Sequence, residues 1–419
     1  MATKCTIKLK RTIGTMEELP LKAALIFLVI YEFLPVLRVL PPILLSFFRT
    51  VSVGVFYIYV LKRDFNLAIK FIAISCIAFV VHLWGFYHCW ITYTGIGGYM
   101  LKNVICWVYM QIGLFLILYG SQDIKIAIRN TIIALVVITA VTSMISLMDT
   151  PTAVRELANG SKHIAGMESA LYARNTSTWG CLYGMTFLLP YIIFLYRKNK
   201  NPILIFVTII IEACIIKSQI TMAIIISFLF LVFMALKPLS PKWILGLGSF
   251  FIAIFAAIST YLGDFFLFIY EMVSKTNNSV LKLRAYQIYV LFAERSMVGT
   301  VEGRFALYTA SLKTFLENSL FGFKITNEEA YTAIGMHSQI LDMMAAVGIV
   351  GFVPLAVFFF YLVYRIGSII RRVDEMRYRY FFITMIVLVG LMILNPTYYA
   401  EAVFLAIFIG GAVIVPLKE

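Results

Sequence analysis

Apolar positions in this chain come in long blocks, not in the alternating pattern of half-buried strands or the narrow stripes of soluble helices. Twelve blocks stand out, near 21–39, 42–61, 67–86, 98–119, 125–146, 178–196, 202–216, 219–236, 242–263, 339–364, 379–394 and 400–416. About 20 apolar residues in a helix cross a hydrocarbon core of about 30 Å. The pattern therefore predicts an all-α polytopic membrane protein with about 12 transmembrane helices, forming a single integral membrane domain over 1–419. Two connections are longer than the rest, a first at 147–177 and a second, larger one at 264–338. In the second, Phe305, Tyr308, Leu312, Phe315 and Leu316 recur at helical spacing while Arg304, Ser311, Thr314 and Asn318 mark the other side. That arrangement predicts an amphipathic helix at the membrane surface, with Arg304 at its beginning. Asn318, Ser319 and Gly322 end it, and Ser338 is placed to cap the apolar run that follows His337.

Composition agrees with the blocks. Hydrophobic residues make up 62%, charged residues 13%, and the mean hydropathy is +0.92, well outside soluble values. The first 20 residues carry Lys4, Lys8, Lys10 and Arg11 without a small-residue cleavage site, so the first span is expected to stay as an anchor. The formal charge of +14 would suit a nucleic-acid binder, but the excess lies in short connections next to span ends. Cationic segments resist translocation, so these connections are read as cytoplasmic and no nucleic-acid partner is expected. Both termini then face the cytoplasm and both long connections lie outside.

The spans hold few ionisable residues. Glu32 and Arg49 lie at matched depth, about 12 Å from the turn between the first two spans, and are expected to pair. Glu212 is expected to reach Lys217, five residues on. Of the six cysteines none forms a metal-type pair or a disulfide framework, and there is no GxxxxGK[ST], dinucleotide-type glycine turn or HExxH. No cofactor and no metal are expected, which leaves the two long connections to carry the chemistry.

Three segments together resemble the O-antigen polymerase and O-antigen ligase (Wzy/WaaL) superfamily, most closely its repeat-unit polymerases. They are Gly303-Arg304, the run Asn318-Ser319-Leu320-Phe321-Gly322-Phe323, and His337 followed by ten residues and Gly348. Ser319 stands where the family usually has Pro, Phe323 where it has a second Gly, and Ser338 where Asn often follows the His. Arg174-Asn175 before a span and Lys217-Ser218 in a tight turn are weaker likenesses.

The resemblance implies a GT-C-like membrane glycosyltransferase in the bacterial inner membrane, with its active site on the periplasmic side. It would polymerise oligosaccharide units carried on undecaprenyl diphosphate, which serves as donor and acceptor, and it allows a chain-length regulator as a partner. His337 and Arg304 become the catalytic candidates. Arg174 and Arg304 become the first diphosphate clamps, with Arg284 and Lys217 in reserve, because guanidinium forks match paired phosphate oxygens. Fixed cations could replace a divalent metal, and Glu32 with Arg49 is either a structural pair or part of a lipid-diphosphate cavity. Whether His337 acts as a base or only orients the acceptor hydroxyl stays open at this level. Transfer of glycan to lipid A-core by a ligase, and transport by a lipid-linked oligosaccharide flippase, are the alternatives. The long late connection and the dissimilar halves favour an enzyme over a transporter.

Overall fold

A computed structural model describes residues 18–90, 103–158, 166–235, 262–276, 279–294, 300–323, 333–397 and 400–414, with positions 246, 249 and 253. There is no strand among the described residues. Helices α1 (Leu19–Phe33), α2 (Pro42–Arg63), α3 (Phe65–Trp90), α4 (Val104–Tyr119) and α5 (Gln122–Asp149) follow one another along the chain. Short α6 (Ala153–Ala158) and α7 (Met167–Ala173) lie in the first long connection. Then come α8 (Trp179–Asn199), α9 (Ile203–Ser218) and α10 (Thr221–Ala235). The second long connection is itself helical, with α11 (Leu262–Ser274), α12 (Ser279–Ala293) and α13 (Thr300–Glu317). Last are α14 (Gln339–Val373), α15 (Glu375–Leu394) and α16 (Glu401–Val413), the final one passing through a π-helical turn at Leu405–Gly410.

Eleven of the predicted apolar blocks coincide with helices, and the block at 242–263 falls almost wholly outside the described residues. By length and composition, six helices can cross a membrane: Pro42–Arg63, Phe65–Tyr87, Gln122–Asp149, Trp179–Asn199, Gln339–Val373 and Glu375–Leu394. Their outer faces are apolar, with Ile43, Phe47, Val80, Val357 and Phe360 all exposed. Large side chains on the outside of a bundle fit lipid as the solvent.

Close approach at the centre depends on small residues. A methyl group on Gly113 would lie 2.6 Å from the Phe408 carbonyl, and one on Gly184 would lie 2.8 Å from the Ala402 methyl. These contacts seat α16 between α4 and α8, and α8 is buried along most of its length. Small residues at helix contacts are the usual device where lipid supplies no hydrophobic drive between helices.

The expected amphipathic helix exists as α13, and it begins a turn before Arg304. Its polar side points into the protein: Ser311 and Thr314 are buried against the start of α14, while Phe305, Leu312 and Leu316 are exposed. That orientation suits a helix embedded at an apolar interface.

Candidate functional site

The chain from 318 to 348 folds as one junction. α14 breaks at Gly348, whose backbone is left-handed (φ 63°, ψ −171°). The break leaves the Ile349 and Val350 amides without their helical acceptors. The Ser319 carbonyl takes the first at 2.8 Å, and the Leu320 carbonyl takes the second at 3.1 Å. In return Phe323 N donates to the freed Ala345 carbonyl at 2.8 Å. Residues 319–323 are thus a wedge in the break, and Trp84 of α3 donates to the Phe321 carbonyl at 3.2 Å on its outer edge. Two glycines make the fit. A Cβ on Gly348 would come 2.5 Å from Gly322 N, and Gly322 itself has φ 82°. Both positions need the conformational freedom of glycine.

Just before α14 the chain makes a second tight turn through Met336, at φ 55°. Asp342, in the first turns of α14, gathers this turn. Its carboxylate accepts from Ser311 Oγ at 2.6 Å and Ser338 N at 3.1 Å, and the Met336 and His337 amides also donate to it. Ser338 fulfils its expected capping role, accepting from Leu341 N at 3.2 Å. Ser311 Oγ in turn accepts from Gly335 N at 2.8 Å, and Thr314 holds the Ala333 carbonyl.

His337 emerges from this turn half-buried, its Nδ1 3.0 Å from the Gly335 carbonyl oxygen. A carbonyl only accepts, so Nδ1 carries the proton of the neutral ring and Nε2 keeps its lone pair. Burial lowers the imidazole pKa from its ordinary value. The Gly335 contact opposes that shift, and the positive charge of Arg304 adds to it.

Arg304 is exposed, and its charge reaches four other groups: His337, Tyr308, Tyr183 at the start of α8 and Arg284 on α12. Tyr308, within hydrogen-bonding reach of Arg304, donates to the Leu394 carbonyl at 2.7 Å. Arg284 donates to Gln287 at 2.8 Å. Burial lowers its pKa, and so do the charges of Arg155 and Arg304. Three arginines from three separate helices therefore share one neighbourhood beside a neutral histidine. Arg155, on α6, carries no distinguishing local pattern in the sequence.

The Arg174 guanidinium is exposed and pairs with Asp149 at 3.6 Å; neither it nor Lys217 contributes to the charges felt by His337. Asn175, beside Arg174, has a structural part. It is buried at φ 50°, its amide oxygen accepts from Val36 N at 3.2 Å, and its amide nitrogen donates to Thr142 at 3.1 Å. The expected Glu212–Lys217 pair does not form: no such ion pair occurs among the described residues, and Ser227 of α10 stands beside the Glu212 carboxyl. Five residues along a helix turn the two side chains well apart, whereas α9 and α10 pack together.

No protein-family profile, curated protein or solved structure matches the chain.

Glu32 and Arg49 do meet, at 3.4 Å, but within a larger group. Arg49 also reaches Glu401 at 2.5 Å, Arg38 lies 3.8 Å from Glu32, and Tyr109 donates to Glu32 at 2.6 Å. The Arg49 guanidinium sits 4.6 Å from the centre of the Tyr31 ring. Arg38 lies 5.5 Å from the Tyr172 ring and donates to its hydroxyl at 3.3 Å. Two arginines and two carboxylates balance, and the Glu32 side chain has no solvent exposure. This is a packed structural unit joining α1, α2 and α16 to the 35–39 turn. Glu401 had a usable sequence signal: it is the sole carboxylate between Glu375 and Glu419.

Proposed function

We propose that the chain is a membrane glycosyltransferase that lengthens glycans carried on undecaprenyl diphosphate, at the outer face of the bacterial inner membrane. The observation that carries this reading is the half-buried His337, whose Nδ1 faces the Gly335 carbonyl at 3.0 Å, beside the arginine group of Arg304, Arg284 and Arg155. In the reaction, an acceptor sugar hydroxyl attacks the anomeric carbon of the donor glycan. The new glycosidic C–O bond forms as the bond from that carbon to the diphosphate oxygen breaks. The hydroxyl proton passes to His337 Nε2, and the diphosphate leaves with the bonding electron pair. A base that is neutral at working pH suits the first demand, and guanidinium groups suit the second.

The likeness to the polymerase and ligase superfamily supports the reading more strongly once the junction is considered. Its glycine-bearing segment and its histidine-to-glycine spacing are the two sides of one contact, between Gly322 and Gly348. The departures at Ser319 and Phe323 fall where the contact uses only a carbonyl and an amide, which residue identity hardly alters. Twelve spans, with both termini cytoplasmic and the Arg304 and His337 end outside, complete the proposal.

The test is to supply purified protein with a single undecaprenyl-diphosphate-linked oligosaccharide and to resolve the products by size. Longer lipid-linked chains are expected. Transfer only to lipid A-core would make the protein a ligase, and translocation across vesicles without a new bond would make it a flippase.

A further inference from the structure

Four groups form a continuous hydrogen-bonded line behind His337. The Asp342 carboxylate accepts from Ser311 Oγ at 2.6 Å, Ser311 Oγ accepts from Gly335 N at 2.8 Å, and the Gly335 carbonyl faces His337 Nδ1 at 3.0 Å. Ser311 and Asp342 are buried, and Gly335 is pressed so closely on α13 that a Cβ would lie 2.6 Å from the Leu307 carbonyl carbon. The line begins on α14, crosses to α13 and returns to the turn, so it fixes Gly335 from two helices.

We propose that Ser311 and Asp342 are positioning residues that hold His337 in the tautomer with Nδ1 protonated and Nε2 free. Neither touches the ring. Ser311 uses both its capacities at once, giving its proton to Asp342 and its lone pair to Gly335, so the hydroxyl has one orientation. With Gly335 fixed, its carbonyl meets Nδ1 and nothing else near the ring competes for that proton among the described contacts. A base held by a second group that sets its tautomer is the general logic of activated catalytic histidines. Here the second group is a peptide carbonyl, and the carboxylate acts through it. Asp342 also collects the Ser338, Met336 and His337 amides, which keeps the strained Met336 turn from relaxing.

This inference refines the glycosyltransferase reading, and its test separates the two. The full-length protein, labelled with 15N-histidine, is compared as wild type, Ser311→Ala, Ser311→Thr and Asp342→Asn. Two-bond nitrogen–proton correlations report the His337 tautomer, with His337→Gln used to assign the signal. Wild type is expected to show protonated Nδ1, and Ser311→Ala and Asp342→Asn to show mixed tautomers, with Ser311→Thr restoring the wild-type pattern. Elongation by the same proteins should fall about a hundredfold in kcat for the two disruptive variants, with KM for the lipid-linked donor little changed. An unaltered tautomer in both, in protein that remains folded by circular dichroism, overturns the positioning role. If a variant does not fold, the wild-type tautomer decides: a protonated Nε2 there overturns the proposal by itself. A tautomer shift without any elongation by the wild type would uphold the positioning role and remove the glycosyltransferase reading.

Discussion

His337 and Arg304 oppose one another electrostatically, and that opposition can be measured. Burial and the Arg304 charge both disfavour the imidazolium, so the folded pKa lies below the ordinary histidine value of about 6.5. A base must be unprotonated to work. Transfer should therefore be retained as pH falls from neutral through the ordinary histidine range, and be lost only as pH falls through the lowered pKa. Replacing Arg304 by Gln removes a repelling charge and favours protonation, so the His337 titration followed by NMR should move to higher pH. An unchanged or lower midpoint would mean that the two groups are not close. Arg304→Ala and His337→Ala are each expected to abolish elongation in a deletion strain while membrane expression persists. Normal elongation by either variant would remove that residue from the chemistry. Both residues were readable in the sequence, Arg304 as the start of an amphipathic helical pattern and His337 as the residue just before the apolar run at 339–364. Arg155 was not, because its role depends on which helix end comes near Arg284, and no local pattern records that.

At the level of elements, eleven helix positions followed from the apolar blocks, since a run of about 20 apolar residues has few other folded outcomes, whereas the helices at Ala153–Ala158, Met167–Ala173, Leu262–Ser274 and Ser279–Ala293 in the long connections did not. The break at Gly348 did not follow. Gly348 lies inside an apolar run beside a second glycine, Gly351, and nothing in that run says which glycine departs from the helix. The deciding partner is the wedge at 319–323, some 25 residues earlier in the chain. The wedge gives a contrast between two glycines in neighbouring helices. Gly348→Ala must place a side chain at φ 63° and 2.5 Å from Gly322 N, whereas Gly390, in α15, has nothing within 4 Å of its added Cβ. Gly348→Ala should cost on the order of 1–3 kcal/mol from backbone strain alone, and lower the melting temperature of detergent-solubilised protein. Gly390→Ala should be neutral or slightly stabilising, as expected for replacing a mid-helix glycine. Equal melting temperatures for the two variants would mean that the wedge does not hold the break.

At the scale of the whole molecule, two groups of charged side chains among the described residues differ in charge balance. Glu32, Glu401, Arg38 and Arg49 cancel, and removing one member strands a buried charge. Arg49→Met is therefore expected to cost about 3–5 kcal/mol and to be read as lost folded protein, not as lost turnover. Arg304 and Arg155 enter none of the ion pairs found among the described residues, and both lie close enough to Arg284 for their charges to act on it. Three cations held near one another repel, and the Arg155 and Arg304 charges add to burial in lowering the pKa of Arg284; a bound polyanion relieves that repulsion. A leaving diphosphate supplies that charge, and fixed guanidinium groups can stabilise its departure at the cost of no reorganisation. Elongation by the purified protein is accordingly expected to survive EDTA at concentrations that strip divalent ions. It should weaken with added pyrophosphate, which competes for the arginines, and Arg155→Gln should lessen that inhibition. Activity lost to EDTA and restored by a divalent ion would give the charge-stabilising part to a metal and leave the arginines only to bind.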